Sequence, residues 1–136
     1  MADLRVTGME GFEAWLNEVS DIPASVQTEI LDSMAEVYAQ AQRRTAQSML
    51  QGPYNKGAVA QAVTRSKAVV GPNFAQEKIT FEGHQHGTRI AEIAFINEYG
   101  KTNQPARPFI FTANEQVGDQ ATAAGAAIFY KFMEGK

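Results

Sequence analysis

Cysteine is absent from all 136 positions. Its absence removes disulfide stapling, thiolate metal sites and cysteine nucleophiles together, and it fits a chain made in a reducing cytoplasm. Long apolar runs are missing too. The longest hydrophobic stretches fall far short of the roughly 20 residues that a membrane helix needs, so no membrane partner is expected. The chain does not start with a basic stretch leading into an apolar core, and no secretory signal is expected. Nor is there a block of one charge. Lys and Arg number 12 against 15 Asp and Glu, a formal net charge of -3, with both signs spread along the chain. A dedicated nucleic-acid binder normally carries a basic face, so tight DNA binding is disfavoured, although proximity to DNA is not.

Catalytic signatures are equally scarce. No G-x-S-x-G elbow or H-E-x-x-H helix occurs. The glycines of "GPYNKG" have the wrong spacing for a phosphate loop, and Gly57 is followed by Ala58 and Val59 where Lys and Ser or Thr would be required. The sequence nominates no catalytic centre and no cofactor, and the expectation is a protein that is not an enzyme.

What is present suits a single globular domain over 1–136. Hydrophobic residues make up 44% and charged residues 20%, enough for a packed core. A short amphipathic helix is predicted over 10–20, with Phe12, Trp15, Leu16 and Val19 on one face; Phe12 and Trp15 serve equally well as core or as interface anchors. Pro23 fits the first turn of a second helix, where its missing N–H costs nothing. That helix is predicted over 23–51, with Val26, Ile30, Met34, Val37, Tyr38, Ala41 and Thr45 as its apolar stripe. Gln27, Glu29, Asp32, Glu36, Gln40 and Arg43 lie on the other face. At 1.5 Å per residue it would run roughly 40–45 Å, long for so small a domain and a first hint of assembly.

After the Gly52–Pro53 break, Val59 and Val63 share one side of a short helical or mixed segment. Strands follow over about 66–90, in "KAVVG" and in "EKITFEGHQ", where Ile79 and Phe81 alternate with Lys78, Thr80 and Glu82. Gly83 and Gly87 bracket a hairpin tip. Arg89 and Ile90 are strand-like, and a short helix over about 91–99 ends at Gly100, a good residue for the position after a helix. Pro105 and Pro108 force "TNQPARPFI" to be extended. Pro108 opens a last helix over 108–133, its stripe formed by Phe109, Ala113, Val117, Ala121, Ala124, Ile128 and Phe132. The predicted class is α+β: a long N-terminal helix and a C-terminal helix packed on a small, mainly antiparallel β-sheet.

Two constellations carry possible chemistry. Glu82, His84 and His86 stand at i, i+2 and i+4, on one face if the segment is a continuous strand. A metal site of two imidazoles and a carboxylate is one reading. A solvated hairpin tip is the plainer and preferred one, because no nearby residue offers the partner that orients a metal-bound imidazole. The second is "AFINEYGKTNQPARPFI". Glu98 falls near a helix C-terminus, where the dipole disfavours a carboxylate, and Arg107 returns nine residues later. A Glu98–Arg107 pair would pin the Pro-Ala-Arg-Pro crossing against the fold, with Phe109 plugging the core. Arg107 as a free surface residue or an intersubunit contact is the alternative.

Those residues also carry a resemblance. Glu98, Tyr99 and Gly100, then Pro105, Ala106, Arg107, Pro108 and Phe109, resemble the signature of the tailed-phage tail-component proteins, also called tail-completion, neck or virion-morphogenesis proteins. In that family a Glu-aromatic-Gly tripeptide precedes Pro-Ala-Arg-Pro-Phe and a C-terminal helix. Pro53, Asn55, Gly57 and Val59 look like a degenerate form of the family's loop after the long helix, with Lys56 where the family has Thr; Lys101 replaces a frequent Thr. The resemblance spans roughly 23–132.

It implies a structural virion protein at the head–tail interface, needed for head–tail joining. Such a subunit is made in the host bacterial cytoplasm and forms a homo-oligomeric ring, a hexamer or a dodecamer. The ring contacts adjacent neck, head-completion or tail-tube proteins, and genomic DNA passes nearby without sequence-specific binding. A tail terminator capping the tail tube is the alternative within that class. A metal-dependent enzyme built on Glu82, His84 and His86, or a DNA-binding module, are the alternatives outside it.

Overall fold

The structure is a computed structural model that describes residues 22–50 and 57–135. The expected helix over 10–20 and most of the Gly52–Pro53 loop lie outside the described residues. The element order is α1 (Ala24–Met49), α2 (Ala58–Ala62), β1 (Val63–Arg65), β2 (Val69–Val70), β3 (Ala75–Gln76), β4 (Ile79–Phe81), β5 (His84–Gln85), β6 (Thr88–Arg89), α3 (Ile90–Tyr99) and α4 (Phe109–Glu134). The class is α+β, as the periodicity predicts: two long helices packed with a small antiparallel strand layer.

Helices α1 and α4, of 26 residues each, form the body. They run antiparallel, since Thr45 Oγ1 donates to the Phe109 carbonyl at 2.8 Å and Gln42 Nε2 to Asn114 Oδ1 at 3.1 Å near one end, while Gly125 lies on Met34 and Ile30 towards the other. Ala35, Ala41, Ala113 and Ala121 are all fully buried; small side chains let two backbones approach closely.

Burial on α1 is broader than one stripe. Met34, Ala41 and Thr45 are buried as expected, but Val26, Ile30, Val37 and Tyr38 are only half-buried, and Leu31, Ala35, Ala39, Gln42 and Ala46 are buried as well. The reason is geometric: α1 is covered by α4 on one side and by α2 and the strand layer on another. On α4 the expected face holds through Phe109, Ala113, Val117 and Ala121, then continues through Gly125 and Phe129 where Ala124, Ile128 and Phe132 were expected. The steps stay at four, so the seam follows α1 around the cylinder.

Among the described residues the strand layer is three separate two-stranded antiparallel ladders. β1 pairs with β4, with Val63 opposite Phe81 and Arg65 opposite Ile79. This ladder starts three residues before the strand region the sequence indicated; the β-branched pair Val63–Thr64 extends as soon as the single turn of α2 ends. β2 pairs with β3 and β5 with β6, the latter forming the expected hairpin between Gly83 and Gly87, both at positive φ. Ile90, read as strand-like, already belongs to α3, its N–H donating to the Gly83 carbonyl at 3.0 Å. The main core joins the layers: Leu50, Val59, Val63, Ile79, Phe81, Ile90, Ala94 and Phe109, with Phe81 and Phe109 edge to face at 5.7 Å. No helix among the described residues is long and apolar enough to cross a membrane.

Candidate functional site

The corner between α3 and α4 contains every residue of the Glu-Tyr-Gly and Pro-Ala-Arg-Pro-Phe stretches. Helix α3 stops at Gly100, whose backbone (φ 78°, ψ 177°) lies in a region only glycine occupies readily. A Cβ there would sit 2.9 Å from the Ala106 nitrogen and the Gln104 carbonyl oxygen. The chain then doubles back through a tight turn, Lys101 and Gln104 exchanging two hydrogen bonds of 2.9 Å. Pro108 (φ -78°, ψ 71°) is the centre of an inverse γ-turn, closed by the Phe109 N–H donating to the Arg107 carbonyl at 2.8 Å. Phe109 is buried at the head of α4, as expected.

The expected Glu98–Arg107 pair is not what holds this corner. Glu98 is buried, and its carboxyl oxygens accept the backbone N–H groups of Ile110 (2.7 Å) and Phe111 (3.0 Å). It caps α4, which starts with no side-chain cap of its own, and the positive end of that helix dipole supplies what a cation was expected to supply. Arg107 engages Asn97: its Nη2 donates to Asn97 Oδ1 at 2.7 Å, and its backbone N–H donates to the Asn97 carbonyl at 2.6 Å. Asn97 Oδ1 also accepts from Gln104 Nε2 at 3.2 Å, and its Nδ2 donates to the Ile93 carbonyl at 2.9 Å. The latch exists, but with Asn97 as its hub. Its outer side is aromatic: Phe95 and Tyr99 lie together at 4.8 Å between ring centroids, 59% and 70% exposed, and Phe111 is 61% exposed.

Glu82, His84 and His86 do not form a shared face. Gly83 turns the chain at φ 98°, and His86 takes the left-handed conformation (φ 52°) at the hairpin tip. The segment is therefore not one continuous strand, and the two-residue alternation is lost. All three side chains are exposed. Among the described residues no group of three or more His, Cys, Asp or Glu side chains is placed to hold a metal ion.

A second cluster went unread in the sequence. Glu77 is completely buried. Its Oε2 accepts from Arg65 Nη1 at 3.1 Å, while its Oε1 has no hydrogen-bond donor. The same Arg65 reaches two residues of α1: Asp32, through Oδ1 at 3.5 Å and the backbone carbonyl at 3.1 Å, and Glu36 Oε2 through Nε at 2.9 Å. Arg43 adds a contact of 3.6 Å to Glu36 and a hydrogen bond to the Val63 carbonyl. Burial, then hydrogen bonding with Asp32 and the Asp32 charge, push the Glu77 pKa from 4.5 up to about 7, against the opposing pull of Arg65. A signal for this site does exist. Glu77 is in phase with Ile79 and Phe81, so the alternation that buries them buries it, and an acid on an apolar face requires a cation.

Comparison with protein families, curated proteins and solved structures finds no match to this chain.

Proposed function

We propose that this chain is a structural subunit of a tailed-phage virion, one copy of a ring at the head–tail interface, and not an enzyme. The observation that carries the reading is the role of the signature residues. Glu98, Gly100, Arg107, Pro108 and Phe109 are consumed in fixing a corner: a helix cap, a glycine-only turn, a side-chain latch and a core plug. Each of these residues has a structural task in the corner. Beside them, Phe95, Tyr99 and Phe111 point outward and offer apolar area for a neighbour. Two helices of about 39 Å add length for lateral contact. In a ring, each interface joins two different patches head to tail, and repetition makes a stable joint from modest single contacts.

The test is assembly. Purified protein, alone and mixed with head-completion and tail-tube proteins, is examined by mass photometry and negative-stain electron microscopy. Closed rings, or incorporation at the neck of virions, are expected. A chain that stays monomeric in both settings and is missing from virions removes the proposal. Pulldown by the portal-side partner as against the tube protein separates a neck ring from a tail terminator.

A further inference from the structure

The Asp32–Glu77 cluster is unused by the assembly reading and is costly as it stands. A buried acceptor without a donor is unfavourable, and a buried unpaired charge more so. Glu77 Oε1 is such an atom, and the Arg65 Nη1 that holds Glu77 Oε2 at 3.1 Å also lies 3.5 Å from Asp32 Oδ1, which brings a second carboxyl beside Glu77. Two carboxyl groups hydrogen-bond to each other only when one carries a proton. Glu77 is the one to carry it, being fully buried where the Asp32 side chain is 49% exposed.

The charge balance agrees. Arg43 and Arg65 face Asp32, Glu36 and Glu77. With Glu77 neutral the cluster has equal numbers of cations and anions; with Glu77 ionised one negative charge is left over inside. These side chains span two layers: Asp32, Glu36 and Arg43 stand on α1, Arg65 on β1, and Glu77 between β3 and β4. Lys67 and Lys78, both exposed, are the other charged residues of the segment that carries Glu77.

The geometry points to a proton-operated clamp: Asp32 and Glu77 share one proton in the folded protein, and its loss as pH rises loosens the 66–78 strand segment from α1. The sign follows from linkage. Folded Glu77 keeps its proton to about pH 7, whereas the unfolded chain gives it up near 4.5. Between those values the folded state binds more protons, so stability falls as pH rises. The contribution is fully present below the unfolded value and is lost as pH passes through the folded one. A shift of that size corresponds to a decrease on the order of 100-fold in the folding equilibrium constant.

Four tests decide the matter. Carbon-13 NMR of the wild-type Glu77 carboxyl is expected to titrate near neutrality; a midpoint in the ordinary carboxylate range overturns the clamp. Glu77→Gln mimics the protonated acid, with an amide to donate to Asp32 and an oxygen for Arg65. Its urea-unfolding midpoint should stay flat from pH 5.5 to 8.5 while the wild-type midpoint falls, and parallel curves overturn the proposal. The comparison is made in a His84→Gln/His86→Gln background, which removes both histidines of the chain. Asp32→Asn should shift the wild-type transition to lower pH, because the amide can donate to ionised Glu77. Finally, amide exchange corrected for its intrinsic pH dependence should speed up at 66–78 above neutrality and not within α4. Uniform acceleration across the chain would mean global destabilisation and no clamp.

Discussion

Single residues decide how the α3–α4 corner is held, and they do so through backbone groups as much as through side chains. Glu98 accepts two N–H groups at the first turn of α4. Glu98→Ala leaves both without their acceptor in a buried place and should cost about 1–3 kcal/mol; Glu98→Gln, keeping one oxygen, should cost less. Urea unfolding reads both, and equal losses would mean that one neutral oxygen recovers nothing and that the carboxylate charge carries the cap. Arg107 belongs to Asn97, so a double-mutant cycle of Asn97→Ala with Arg107→Ala should show coupling of about 0.5–3 kcal/mol. The cycle of Glu98→Ala with Arg107→Ala should show clearly less, and the reverse order would restore the direct ion pair. The need for a partner at Glu98 was legible from its place at a helix end. The partner's identity was not, because it is a helix N-terminus, and a helix that opens Pro-Phe-Ile-Phe gives no side-chain sign of where its free N–H groups turn. Glu77 was legible in principle, since the alternation that places Ile79 and Phe81 inward includes it.

Elements were easier to read than the seams between them. Periodicity locates α1, α3 and α4 within a few residues because each has a long or well-terminated pattern, Gly100 and Pro108 marking two of the boundaries. The strand layer was less legible: strands of two or three residues are too short for alternation to register, and β1 begins where a helical turn was equally plausible. The seam between α1 and α4 depends on which small residue faces what, a tertiary fact. Two glycines of α4 show it by opposite expected behaviour. Gly118 has open space where a Cβ would go, so Gly118→Ala should raise stability by about 0.5–1 kcal/mol through helix propensity alone. Gly125 faces α1, and a Cβ there would meet Met34 Sδ at 2.7 Å and Ile30 Cγ2 at 3.3 Å. Met34 is buried and has little room to yield, so Gly125→Ala should destabilise by about 1–3 kcal/mol. Thermal melts of the two variants check the sign, and a gain at both positions would mean that the helices can move apart at no cost.

At the scale of the whole molecule, the ring reading places stability and assembly on different aromatic residues, and that separation is testable. Phe109 sits at the junction of both layers, edge to face with Phe81; Phe109→Ala should cost about 3–5 kcal/mol. Phe95 and Tyr99, on the outer side of α3, contact each other and are largely exposed. An isolated domain gains little from two large aromatic rings held in water, while an interface gains most from such residues, which lose little side-chain entropy when covered. Under the ring reading, Phe95→Ser with Tyr99→Ser should leave the urea midpoint within about 0.5 kcal/mol of wild type and abolish particles in electron micrographs. An intact fold with rings still forming would move the interface to another face of the molecule. A large loss of stability would instead make the pair part of the fold, and the corner would then have no outward-facing anchor to offer a neighbouring subunit.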